Sequence, residues 1–92
     1  MNDERILALL KLDLQISVSA YDALLQNFID LAKEAITIEG ITLDPTSPAD
    51  DALIESYAAW LARKRKENVS MPRMLSWQLN NRLFSEKVNQ ED

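Results

Sequence analysis

The chain has 92 residues and a net charge of −5, with one glycine, no cysteine and no histidine. That length allows one hydrophobic core and leaves no room for a second. Without cysteine there is no disulfide framework or thiolate metal site, and without histidine the common proton shuttle, the usual serine and cysteine triads and imidazole ligation are gone. A single glycine also excludes the glycine-rich loops that cradle phosphates or dinucleotides. No enzyme activity, catalytic residue, metal or cofactor is therefore expected. Charge is uneven: residues 1–55 carry 3 basic and 11 acidic side chains, whereas residues 56–92 carry 7 and 4. The acidic first part and basic last part make the molecule electrically polar, which suits steering toward a partner or head-to-tail stacking.

In chain order, Asp3 and Glu4 ahead of Ile6, Leu7, Leu9 and Leu10 predict a short first helix with acids in its first turn. The acidic start, from Asn2 to Glu4, is unlike a secretory signal, and no apolar run reaches membrane-spanning length, so a soluble, unexported chain with no membrane partner is expected. Leu14, Ile16 and Val18 alternate with polar residues as a strand would, but a lone strand has no partner, and the segment reads as an ordered connector. Ser19 and Asp22 predict the cap of a second, long helix. Its apolar residues Leu24, Phe28, Leu31, Ala35 and Ile38 recur at steps of four and three, flanked by Leu25, Ile29, Ala32 and Ile36. Gly40 fits a left-handed terminating position.

Ile41 to Ser47 is a loop, closed by a capping Ser47 and by Pro48 at the first helical position. The third helix should run to about Asn68, burying Leu53, Ile54, Tyr57, Ala58, Trp60 and Leu61. Asp44, Asp50 and Asp51 match no calcium loop, and the last two read as first-turn acids. Pro72 opens a fourth helix with Leu75, Leu79 and Leu83 at steps of four, Trp77 and Phe84 alongside, and a frayed end from Asn89 to Asp92. The expected fold is all-α: one domain over residues 1–92, a compact bundle of about four helices around Leu24, Phe28, Leu31, Ile54, Tyr57, Leu61, Leu75 and Leu79.

Arg63, Lys64, Arg65 and Lys66 form the strongest electrostatic feature. At a helix C-terminus they complement the macrodipole as a solvated end. Their functional reading is contact with DNA phosphates or an acidic neighbouring subunit, extended by Arg73 and Arg82. No base-reading module accompanies them, so any DNA contact would be nonspecific. Trp60 and Trp77 lie among apolar residues and read as packed. Asn80 and Asn81 are poor helix formers in mid-helix; with Arg82 they are candidates for an interface.

The stretches YDALLQNFIDLAKEAITIEGITLD and YAAWLARKRKENVSMPRMLSWQLNNRLF, within Ile6 to Lys87, resemble the small head-tail connector proteins of tailed bacteriophages. The resemblance implies a helical structural subunit of a phage or prophage, present in the virion and in the host cytoplasm during assembly. It would form a homo-oligomeric ring, commonly dodecameric, that docks under the portal protein, continues the DNA channel and receives the next tail-completion protein. The short loop at Ile41 to Ser47 departs from larger relatives, which use longer loops or C-terminal extensions for contacts. A small helix-turn-helix regulator or terminase small subunit is the alternative, disfavoured by the acidic balance. A helical adaptor of a cellular complex is a further one.

Overall fold

The computed structural model describes residues 3–90 as four α-helices: α1 (Asp3–Leu14), α2 (Asp22–Ile38), α3 (Pro48–Glu67) and α4 (Arg73–Gln90). A single 3-10 turn, Ser19–Tyr21, leads into α2, and there is no strand among the described residues. The all-α fold is the expected one. α1 is longer than anticipated and takes in Leu14; it ends where Gln15 adopts a positive φ of 59° and the Ile16 N–H donates back to the Lys11 carbonyl at 2.9 Å. Ile16 to Val18 then form the irregular connector.

Ser19 does not cap α2. It opens the 3-10 turn instead, and Tyr21, the residue before α2, supplies no side-chain cap. Asp22 does occupy the first turn of α2, where its Oδ1 accepts from Lys11 Nζ at 2.8 Å and ties α1 to α2. Asp3, in the first turn of α1, is held from the other helix by Lys33 and by Gln26 Nε2 at 3.0 Å. Gly40 follows α2 with a φ of 111°, a backbone state that any side chain would strain, and the Ile41 N–H turns back to the Ile36 carbonyl.

Ser47 caps α3 as expected, its Oγ accepting from the Asp50 N–H at 3.3 Å, with Pro48 in the first turn. Asn68 closes α3 in the left-handed conformation, which asparagine tolerates better than most residues. α4 keeps a helical backbone through Gln90; the rest of the end expected to fray, Glu91 and Asp92, lies outside the described residues, as do Met1 and Asn2.

α3 packs against both α1 and α2, and these three helices enclose the core. Ile6 and Leu10 of α1, Leu25, Phe28, Ile29, Ala32 and Ile36 of α2, Ile41 after it, and Leu53, Ile54, Tyr57, Ala58 and Ala59 of α3 are buried there. Ala58 and Ala59 admit neighbouring backbones at close range. α4 adds only Leu75 and Leu79, with Leu83 partly buried. The molecule is accordingly elongated, 48 × 28 × 18 Å.

Two expected core residues are not in the core. Leu24 and Leu31 are exposed, the latter by 45%, and Leu61 is only partly buried. The apolar face of α2 is about half the helix circumference, and α1 and α3 cover the side carrying Leu25, Ile29, Ala32 and Ile36. The 4-3 stripe that looked central is therefore the border of the covered face: Phe28 is buried as expected and Ala35 half-buried, while Leu24, Leu31 and Ile38 are left in solvent. Replacing Ile54 with alanine should cost about 2–5 kcal/mol in denaturant unfolding, whereas Leu31→Ala in the monomer should stay within about 0.5–1 kcal/mol. Equal losses would show that Leu31 is covered.

Candidate assembly surface

Part of the α2 face is left exposed. Leu24, Leu31 and Ile38 stand in solvent at successive steps of seven, with Phe28 and Ala35 between them at the border with the core. Asn27, Asp30 and Glu34 line the solvent side of this stripe. Lys33, the cation nearest to them in sequence, is turned to Asp3.

α4 is apolar on two nearly opposite faces. Leu75, Leu79 and Leu83 point inward; Met74, Trp77, Phe84 and Val88 point outward, with Trp77 60% and Phe84 70% exposed. With Asn81 the outer set recurs at steps of three and four from Met74 to Val88, the spacing of a helix-packing seam. Trp77 is thus not packed, contrary to the expectation from its apolar neighbours: it stands away from the Leu75 and Leu79 side of α4 and stays 60% exposed. A groove of about 210 Å³ beside it is lined by Ala49, Leu53, Trp77, Gln78, Asn81 and Arg82. Trp60 is packed as expected, edge-on to Tyr57 at 5.4 Å between ring centroids, with its N–H donating to the Val69 carbonyl at 3.1 Å.

The basic run does not act as one patch. Arg63 donates to the Asp13 carboxylate at 2.8 Å and reaches the Asp13 carbonyl, which pins α3 to the end of α1. Lys64 lies over the Trp60 ring, 4.8 Å from its centroid, where a cation is attracted by the ring quadrupole. Arg65, Lys66 and Arg73 are exposed. Asn80 and Asn81 are exposed as well.

Arg82, by contrast, is turned inward. Its guanidinium donates to both oxygens of the buried Asp50 and to the Thr42 carbonyl at 3.1 Å. Asp50 also accepts from the Asp44 N–H at 2.7 Å, and Glu86, one turn beyond Arg82, accepts from the Thr42 N–H at 2.9 Å. Two successive turns in the C-terminal half of α4 are thereby fastened to the loop before α3. Asp50 and Asp51 do occupy the first turn of α3, but both are buried. For Asp50 the first-turn reading missed the partner forty sequence positions from the loop it also holds.

A carboxyl pair sits beside Arg63. Burial pushes Glu55 up to about 8, reinforced by the hydrogen bond to Asp13 and its negative charge, while Asp13 is held below its ordinary value by that bond and by Arg63. Glu55 thus keeps its proton at neutral pH and donates it to Asp13. Sequence gave no sign of this pair, whose members lie on different helices.

Two measurements follow from these ties. Arg82→Ala should cost on the order of 2–3 kcal/mol by leaving Asp50 buried without its cation, less than for a fully enclosed pair because Arg82 is partly solvent-accessible; an unchanged denaturation midpoint would contradict it. For Glu55, the folded state holds a proton that the unfolded chain releases above its ordinary value near 4.5, so this group's stabilisation is present below that pH and declines as pH rises toward 8. Glu55→Gln keeps a neutral donor for Asp13, so its melting temperature should exceed the parent's by about 4 °C or more at pH 8 and converge at pH 5. A constant offset at both pH values would be inconsistent with a retained proton. Comparison with known proteins assigns none of these features: no family model, curated protein or solved structure matches the chain.

Proposed function

We propose that the chain is a structural subunit of a phage or prophage head-tail connector. It oligomerises into a ring beneath the portal protein, continues the DNA channel and receives the next tail-completion protein. The observation that carries the assembly part of this reading is the pair of solvent-facing apolar stripes, Leu24–Leu31–Ile38 on α2 and Met74–Trp77–Phe84–Val88 on α4. Apolar side chains scattered singly on a surface need no explanation, but two ordered rows on helices of a 92-residue chain mark contact surfaces. The connector part rests on the resemblance of the two long helical stretches.

Of the basic residues singled out in the sequence, Arg65, Lys66 and Arg73 are exposed and able to face DNA or an acidic neighbour, since Arg63 and Arg82 serve internal ties. Contacts of this kind are to phosphate and carry no sequence preference. A sequence-reading DNA-binding protein has less support, because the net charge is −5 and the basic run is divided among internal tasks.

Alone the chain should be a weakly associating monomer or small oligomer, and a ring should become stable only against the portal protein encoded beside it, where one more contact per subunit offsets the entropy of association. Sedimentation velocity of the chain with and without that portal checks this. A slow monomer boundary that persists beside purified portal, or the absence of a portal and capsid cluster around the coding sequence, would overturn the connector reading.

A further inference from the structure

The two exposed stripes match each other. Leu24 to Ile38 and Met74 to Val88 each span fourteen steps of helix, about 21 Å. Counting the buried Phe28 and half-buried Ala35 that lie between its exposed residues, the α2 stripe steps by four, three, four and three; the α4 stripe does the same when read from its C-terminal end. Laid antiparallel, they place Val88 opposite Leu24, Phe84 opposite Phe28, Asn81 opposite Leu31, Trp77 opposite Ala35 and Met74 opposite Ile38. The largest side chain then meets the smallest, as knobs-into-holes packing requires.

Charge favours the same pairing. The α2 stripe is rimmed by Asp30 and Glu34, both exposed, whereas the α4 seam is bordered by the exposed cations Arg73 and Lys87. Glu86, the acid within α4, is engaged with the Thr42 N–H on the inner face. Two α4 helices laid antiparallel would bring Arg73 of one copy toward Lys87 of the other, a like-charge contact. Pairing α4 with α2 puts opposite signs along the seam.

We infer that the outer seam of α4 in one copy docks antiparallel on the exposed stripe of α2 in a second copy. The inference deepens the assembly reading above by naming its two surfaces. Such a contact is heterologous: each copy presents α4 to one neighbour and α2 to the other, so assembly continues until it closes as a ring or extends as a filament. Asn81, polar in mid-seam, is the kind of position that fixes register at some expense of stability.

The absence of cysteine makes the test direct. Leu31→Cys and Asn81→Cys variants, mixed at millimolar concentration under mild oxidation, should give a disulfide-linked dimer on a nonreducing gel. Leu31→Cys or Asn81→Cys alone should give little, and a Leu24→Cys with Met74→Cys mixture should not link, because those positions lie at opposite ends of the antiparallel seam. Efficient linking of Asn81→Cys with itself would replace the pairing by a two-fold α4 contact. Linking of Leu24→Cys with Met74→Cys alongside the central pair, which faces itself in either direction, would replace the antiparallel register by a parallel one. No link in any mixture would overturn the pairing altogether. Portal binding is scored separately by sedimentation: cross-linking without portal binding sinks the connector reading and leaves the pairing standing, and the reverse result does the opposite.

Discussion

The buried carboxylate of Asp50 is the constraint on which the arrangement of α4 depends. It lies in the first turn of α3, receives a hydrogen bond from the Asp44 N–H of the preceding loop, and is neutralised by Arg82 from α4. A buried anion of this kind is tolerated only when its oxygens are occupied, and here three segments are ordered in occupying them. Hydrophobic contact alone would hold α4 loosely, since it contributes Leu75, Leu79 and part of Leu83 to the core. The charge pair and the Glu86 to Thr42 hydrogen bond restrict rotation about the helix axis. With α4 fixed in that way, its outer row faces solvent in a defined direction.

The opposite end of the molecule uses carboxylates differently. Asp13 is ionised between Arg63 and the protonated Glu55, so the junction of α1 with α3 combines a charge pair with a neutral hydrogen bond. Arg63 is thereby removed from the basic run, and Lys64 is removed from it by Trp60. Four consecutive cations in a sequence look like one patch. On a helix, successive residues point about 100° apart, so they sample core-side acids, an aromatic neighbour and open solvent in turn.

The helices, their caps and their links were legible in the sequence because each signal is local. Ser47 with Pro48, Gly40, and the stop at Asn68 each act through backbone groups a few residues away. Ser19 misled for the same reason: its hydroxyl is a cap in principle, but the chain inserts a 3-10 turn before α2 begins. Burial was less legible. Periodicity shows that α2 has a wide apolar face, yet which half is covered depends on where α1 and α3 lie, and that is nonlocal. The same holds for Trp77 and Phe84, which share a helix with Leu75 and Leu79 but not a side. Their spacing with Met74, Asn81 and Val88 was the available signal, a second helical row on one helix. The Asp50–Arg82 and Asp13–Glu55 pairs had no comparable sign, because nothing in a single sequence relates residues thirty or forty positions apart.

A helix apolar on opposite faces cannot satisfy both against one layer of structure. In α4 the inner face is claimed by α3 and by the loop around Thr42, and the polar groups that secure it, Arg82 and Glu86, lie on that same side. The outer face retains Trp77 and Phe84 between Arg73 and Lys87, and the acid that α4 carries among the described residues, Glu86, lies on the inner side. α2 has the complementary shortage: its exposed row carries Leu24, Leu31 and Ile38 beside Asp30 and Glu34, and the cation next to them in sequence, Lys33, is spent on Asp3. What is left on the two rows is apolar surface of equal length and opposite rim charge, and the proposed contact between copies would relieve both imbalances at once.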